Sequence, residues 1–295
     1  MFQRKKFKLR LPSRVLVLGE RTLVMGVLNV TPDSFSDGGL YLDADAAVAR
    51  ALEMERAGAD LLDIGGESTR PGSEGISASE QMRRILPVLE KLRGKLKIPV
   101  SVDTSKSEVA EAAVFQGAEI LNDVTALRAD PRLAETAAKR RLPLILMHMR
   151  GNPRTMQKAP FARDVLRDVS QSLRQAVAIA RRAGVPKSQI VLDPGIGFGK
   201  TAAQNYELLE KLAELARLGH PLVVGTSRKS FLAKAPGAAP NADRIWGTAA
   251  TVAASILGGA HIVRVHDVAE MVEVARVADA MANPRAVAGR SAKTK

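Results

Sequence analysis

Two apolar patterns take turns along most of the chain. Short continuous apolar runs, of the kind expected for strands buried on both faces, occur at Thr22–Val30, Leu61–Ile64, Val100–Asp103 and Glu119–Asn122. They recur at Leu144–His148, Ile190–Asp193, Leu222–Gly225 and Ile262–His266. An amphipathic stretch of helical period follows each one. The first of these helices is predicted over roughly Asp45–Ala57, with Asp43 as its N-cap and Gly58 in the left-handed position after its end. The second opens at Ser77-Ala-Ser-Glu80, which reads as a capping box. Later helices run to Gln116, open at Asp130-Pro131, and end at Ala183, Leu218 and Leu257, and the last spans Val268–Met281. Ahead of the first strand, Phe7–Leu11 and Val15–Leu18 could pair as a hairpin.

Eight strand–helix units in unbroken alternation, with no break in composition, predict an α/β fold: a single-domain (β/α)8 TIM barrel preceded by a short hairpin. The predicted limits are a basic N-terminal segment over 1–20, the barrel over 21–282 and a basic tail over 283–295. A doubly wound open sheet is the alternative. Polar residues fall at the C-terminal end of nearly every strand: Asn29, Asp63, Asp103, Asn122, His148, Asp193, Ser227, Arg264 and His266. In a closed barrel those ends share the face on which active sites are built, so residues far apart in sequence would meet around one cleft.

Composition narrows the class. No apolar run approaches the ~18 residues a membrane span requires, no signal-peptide core follows the basic N-terminus, and no membrane partner is expected. The chain has no cysteine, which excludes thiol chemistry and disulfides and suits a reducing, cytoplasmic setting. The net charge of +13 invites a nucleic-acid reading, but residues 1–20 carry +5 of it and residues 281–295 another +4. The excess thus sits mostly in the ends, and nucleic acid is not an expected partner. A transit peptide over Met1–Arg14 is disfavoured by Pro12 and by the lack of a Ser-rich helical pattern.

The loops carry the candidate chemistry. Thr31-Pro-Asp-Ser-Phe-Ser-Asp-Gly-Gly39 concentrates polar groups directly after the first strand; a well hydrogen-bonded loop is the structural alternative. Asp63-Ile-Gly-Gly-Glu-Ser-Thr-Arg-Pro-Gly72 combines hydroxyls, one guanidinium and glycines, which suits phosphate oxygens, unless Arg70 merely pairs with Glu67 or Glu74. Pro194-Gly-Ile-Gly-Phe-Gly-Lys-Thr201 narrowly misses a P-loop, because Pro194 stands where the first glycine belongs. Its glycines would instead let backbone approach a flat ligand on which Phe198 could stack. Asp103, Asn122, Asp193 and Lys229 form a set of polar groups at buried strand ends. A planar heterocycle with adjacent N–H donors would satisfy Asp193, unless the set only satisfies itself across the barrel top. Arg264 and His266 share one strand face and could hold a diphosphate with Asn29. Asn29 is also a sound oxygen ligand for Mg2+, which takes few protein ligands beside phosphate. No H-x-H or H-E-x-x-H pattern supports a zinc hydrolase, and His148 reads as a satisfied core or rim histidine.

Taken in order, these motifs closely resemble one family, dihydropteroate synthase. The carrying residues are Gly26–Gly39, Asp63–Gly72, Ser101-Val-Asp-Thr-Ser105, Asn122-Asp123, Leu146–Met149 with Gly151, Asp193–Gly195 with Gly197–Lys200, Ser227–Ser230 and Arg264–Val268, covering about Thr22–Ala280. The resemblance implies condensation of 6-hydroxymethyl-7,8-dihydropterin diphosphate with 4-aminobenzoate, with Mg2+ as cofactor and a homodimer as the assembly. It implies pterin contacts from Asp103, Asn122, Met147, Asp193, Phe198, Lys229 and Arg264, and diphosphate contacts from Asn29, Thr69, Arg264 and His266, with the metal on Asn29. Phe35, Thr69, Pro71, Phe198, Lys229 and Ser230 would frame aminobenzoate. Asp103, Asp193, Lys229, Arg70 and Asp37 would be the catalytic group. A related barrel methyltransferase acting on a folate-type pterin would share the pterin carboxylates but would have no diphosphate for Arg70, Arg264 and His266 to meet.

Overall fold

The computed structural model describes residues 4–31, 39–68, 72–151, 155–156, 163–237 and 243–285. Two short strands, β1 (Phe7–Arg10) and β2 (Val15–Leu18), pair antiparallel with Phe7 opposite Leu18. The barrel strands are β3 (Leu23–Asn29), β4 (Leu61–Gly65), β5 (Val100–Asp103), β6 (Ile120–Asp123), β7 (Leu144–Met147), β8 (Ile190–Asp193), β9 (Val223–Val224) and β10 (Ile262–Val265). All are parallel, in the order β8-β7-β6-β5-β4-β3-β10-β9. A bridge between Leu192 and Leu222 joins the two outer strands and completes the nearly closed ring. That closure excludes the open doubly wound sheet.

The helices are α1 (Gly39–Arg56), α2 (Ala78–Leu92), α3 (Ser107–Phe115), α4 (Arg132–Arg140), α5 (Val165–Arg182), α6 (Ala202–Glu210), α7 (Leu212–Ala216), α8 (Arg244–Leu257) and α9 (Val268–Ala282). Their apolar faces pack on the outward side of the strands, where Val24, Leu28, Leu62, Ile64, Leu121, Leu146 and Val263 join one large buried cluster. Gly58, Gly117, Gly184 and Gly219 all have positive φ, as expected after a helix end.

Local chemistry departs from the sequence reading in three places. Helix α1 begins at Gly39, so Asp43 lies inside it rather than capping it; leucine ranks among the stronger helix formers, and a sequence with two of them before Asp43 is compatible with the earlier start. At α2 only half of the capping box forms. Ser77 Oγ accepts from the Glu80 N–H at 3.1 Å, but the Glu80 carboxylate turns to Arg83 and Arg84 at 2.6 and 2.7 Å. The helix expected to reach Leu218 breaks at Lys211 into α6 and α7, and a full reciprocal box forms at its start between Thr201 and Gln204.

Side-chain alternation divides each strand between the outer layer and the lumen. The lumen floor is apolar: Leu23, Met25, Leu61, Ile120, Ile145, Val191, Val223 and Ile262 are buried there. Leu9, Leu11 and Leu18 of the hairpin pack into the same cluster, so the hairpin plugs the N-terminal end of the barrel. With that end filled by described residues, the polar part of the lumen lies toward the C-terminal ends of the strands.

Candidate active site

Two residues beyond the apolar floor, the same inward faces turn polar. Asp63 follows Leu61, Asn122 follows Ile120, Asp193 follows Val191 and Arg264 follows Ile262. Asp63, Asp103, Asn122 and Asp193 are all buried. Arg264 reaches from β10 past β3 to the next two strands. Its Nε donates to Asp63 Oδ2 at 2.6 Å and its Nη2 to Asp103 Oδ2 at 3.0 Å. Asn122 Nδ2 donates to the same Asp63 oxygen at 2.9 Å.

The charges are poised rather than neutralised. Burial, followed by the nearby Asp63 carboxylate, pushes the Asp103 pKa up to about 7 against the pull of Arg264. Burial also raises Asp193, opposed by Lys229 and by the Gly195 N–H that its Oδ1 accepts at 2.7 Å. Lys229 is pushed down to about 7 by burial, with Asp193 acting against the shift. Burial works against the charged Arg264 as well, but Asp63 and Asp103 outweigh it and raise its pKa. Arg264 therefore bears on the ionisation of Asp103, Asp193 and Lys229, and Asp193 and Lys229 bear on each other.

An apolar wall stands beside them. Val124, Met147, Met149 and Met156 form a separate buried cluster against which Phe198 packs. The Lys229 ammonium lies 4.4 Å from the centre of the Phe198 ring and donates to the Ile196 carbonyl. The loop carrying Phe198 is fixed from below. Gly195 has φ +64, and a Cβ there would stand 1.8 Å from the His148 carbonyl oxygen, so only glycine fits. Lys200 is buried and donates to the carbonyls of Gly195 and Phe198 at 2.8 and 3.0 Å and to His148 Nδ1 at 2.9 Å. Burial, then Lys200, lowers the His148 pKa to about 2, which keeps its imidazole neutral and able to accept. His148 thus has the satisfied structural role expected of it.

At the opposite rim, Arg228 takes a left-handed backbone conformation with φ +58, and its Nε and Nη2 donate to the two carboxylate oxygens of Asp267. This ties the loop bearing Lys229 to the segment bearing His266. His266 Nδ1 lies 3.0 Å from Ser227 Oγ. Asn29 is half-buried at the end of β3, opposite Gly65 in register, and Gly65 in turn faces Asp103. Ser230 is exposed beside Lys229.

Comparison with known proteins decides the family. The sequence signature of the pterin binding enzymes matches residues 25–266. The chain is 49% identical over 263 residues to the dihydropteroate synthase of Synechocystis sp., covering 89% of this chain and 91% of that one. The chain belongs to the pterin-binding enzymes, among the dihydropteroate synthases. Two solved structures of Xanthomonas albilineans dihydropteroate synthase superpose on it. The one with 4-aminobenzoic acid has a TM-score of 0.87 at 43% identity, covering 95% of this chain and 99% of that one. The one in complex with 7,8-dihydropteroate has a TM-score of 0.83 at 41% identity, covering 94% and 99%. Like them, this pterin-binding family member is an enzyme, a transferase of a pterin group.

The structure thus brings Asp103, Asn122, Met147, Asp193, Phe198, Lys229 and Arg264 to one mouth, with Asn29, His266 and Ser230 on its rim. Phe35, Asp37, Thr69, Arg70 and Pro71 lie outside the described residues. The hydrogen bonds of Asp103, Asn122, Asp193 and Lys229 reach beyond the set itself. Asn122 and Asp103 turn to Asp63 and Arg264, while Asp193 and Lys229 turn to loop backbone. Sequence reasoning placed Asp63 at a strand end without giving it a task, and it missed Arg228, Asp267 and the brace made by Lys200. The basic run Ser227-Arg-Lys and the proximity of Lys200 to a glycine loop were the available signals.

Proposed function

We propose that this enzyme joins 4-aminobenzoate to 6-hydroxymethyl-7,8-dihydropterin diphosphate, releasing diphosphate and forming 7,8-dihydropteroate for tetrahydrofolate synthesis. The observation that carries the reading is the pairing of buried carboxylates Asp103 and Asp193 with Lys229 and Arg264 beside an apolar wall. A flat, amide-rich ring fits between such groups, and relatives hold 4-aminobenzoic acid and 7,8-dihydropteroate. Asp193 would accept from the amino and ring N–H edge of the pterin. Asn122 would meet a donor and an acceptor side by side, and Lys229 would meet a ring carbonyl or nitrogen. Met147 and Phe198 would cover the ring faces.

Departure of diphosphate leaves positive charge on the pterin methylene carbon. Asp103 and Asp193, fixed in place before the reaction, would stabilise that cation without reorganising. The aminobenzoate nitrogen then attacks the methylene, the C–N bond forms and one amine proton is lost. Asn29, Thr69, Arg264 and His266 would take the diphosphate. Arg70 and Asp37 would act from the two segments after the first and second barrel strands, which would close over the site and exclude water. Phe35, Thr69, Pro71, Phe198, Lys229 and Ser230 would frame aminobenzoate.

Mg2+ fits this arrangement as an ion carried largely by the substrate. Among the described residues no group of three or more acidic, histidine or cysteine side chains could hold a metal, and Asn29 offers one neutral oxygen at the rim. When bound there, the ion would offset the charge of the diphosphate. A homodimer is the proposed assembly. Trp246 of α8, 78% exposed, and Val277 and Met281 of α9 present apolar surface that a subunit contact would cover. No helix among the described residues is long and apolar enough to cross a membrane, and the absence of cysteine suits the cytoplasm.

The test is diphosphate release on mixing the protein with the pterin diphosphate, with and without 4-aminobenzoate. Release coupled to dihydropteroate formation supports the reading, and no turnover with both substrates and Mg2+ contradicts it.

A further inference from the structure

We infer that Asp63 is the positioning residue of this site, setting the orientation of both Asn122 and Arg264 without itself meeting substrate; the inference rests on the pterin-site reading above. Three facts combine. Asp63 is fully buried among the polar groups of the mouth. A single oxygen, Oδ2, accepts both from Asn122 Nδ2 and from Arg264 Nε. Its other oxygen, Oδ1, and the hydroxyl of Ser101, its register neighbour on β5, have no hydrogen-bond partner among the described residues.

Each bond has a geometric consequence. An Asn side chain has two N–H donors and one acceptor oxygen. With one donor held by Asp63, Asn122 cannot reverse its amide without turning its oxygen onto a carboxylate. It is left with one N–H and the oxygen, adjacent, for a ligand edge. Arg264 starts from β10 and would otherwise be free to extend into the open mouth. Through Asp63 and Asp103 it is instead folded across the lumen, anchored to β4 and β5, with 21% of its side chain still exposed. One carboxylate thereby governs the recognition edge offered by Asn122 and the height of the guanidinium.

A fully buried carboxylate with an unsatisfied oxygen is an expensive way to support a fold. Leu61, two residues earlier on the same face, fills the lumen with no polar atom. Asp63 is therefore better explained by what it holds than by stability.

The test compares wild type, Asp63→Asn, Asp193→Asn and the lumen control Leu61→Val as full-length protein. The measurements are steady-state kinetics for each substrate, calorimetric binding of 6-hydroxymethyl-7,8-dihydropterin diphosphate, and melting temperature. Asp63→Asn should raise KM and Kd for the pterin diphosphate about tenfold or more, while KM for 4-aminobenzoate changes by less than about twofold. Leu61→Val should lower the melting temperature without moving either KM. If Asp63→Asn leaves pterin affinity unchanged while Asp193→Asn weakens it, the positioning role is overturned and the site stands. If neither variant weakens binding, the pterin-site reading itself fails. A second measurement needs no variant: in a crystal structure of the wild-type enzyme with the pterin diphosphate, Asn122 and Arg264 should both remain on Asp63. Loss of either bond would overturn the inference.

Discussion

The two ends of the barrel lumen are built by the same strands and differ by a step of two residues. At the N-terminal end Leu61, Ile120, Val191 and Ile262 meet the leucines of the hairpin in a sealed apolar layer. One inward position further along, Asp63, Asn122, Asp193 and Arg264 put carboxylates, an amide and a guanidinium in the same cylinder. The lower layer gains from burial, because apolar area leaves water and nothing polar is stranded. The upper layer works against burial, as the raised Asp103 and lowered Lys229 show. The contrast teaches a division of labour: the plug holds the strands at a fixed spacing, and the mouth uses that rigidity to keep costly charges aimed at a ligand.

The sharpest way to break this contrast is to remove one charge from the mouth. Asp193→Asn keeps an oxygen for the Gly195 N–H but removes the carboxylate, and should cost about 2–5 kcal/mol of kcat/KM for the pterin diphosphate. Steady-state rates would show it, with the melting temperature nearly unchanged. The reverse result is expected at the plug. Leu18 is fully buried in the hairpin, so Leu18→Ala should lower stability by about 2–5 kcal/mol in urea titrations. Its kcat/KM, measured well below the melting transition, should stay at the wild-type value.

Smaller effects refine the picture of the mouth. Phe198→Ala removes a ring face and its contact with the Lys229 ammonium, and should weaken pterin binding by about 1–2 kcal/mol, read as a higher KM for that substrate. The smallest effect concerns pH. The value of kcat/KM reports the free enzyme. It should pass through a maximum near neutrality, falling on the acid side as Asp103, raised to about 7, takes up its proton. It should fall on the alkaline side as Lys229, lowered to about 7, gives its proton up. Lys229→Arg should carry the alkaline limb upward by about one pH unit or more, because guanidinium keeps its charge.

Much of this architecture could be read from the chain because a strand buried on both faces cannot hide a charge. The terminal Asp, Asn and Arg of each run therefore stand out, and a closed barrel makes their convergence obligatory. The hairpin was visible as two short apolar runs, but its function as a plug was not, since a strand pair carries no signal for what it covers. The partnerships inside the mouth were equally hidden. Nothing local to Asp63 says that Arg264, two hundred and one residues away, will fold onto it, because that contact depends on β10 closing against β3. The Thr201–Gln204 box was present as T-x-x-Q and could have been found. The start of α1 could not, since an aspartate favours both a cap and a first turn.

The most direct test of the account is calorimetric titration of 6-hydroxymethyl-7,8-dihydropterin diphosphate into wild type, Asp103→Asn, Asn122→Ala, Asp193→Asn and, as the contrast, Leu18→Ala. The account predicts weakened binding in each of the three mouth variants and wild-type affinity in the folded plug variant. Undiminished affinity in all three mouth variants would contradict it.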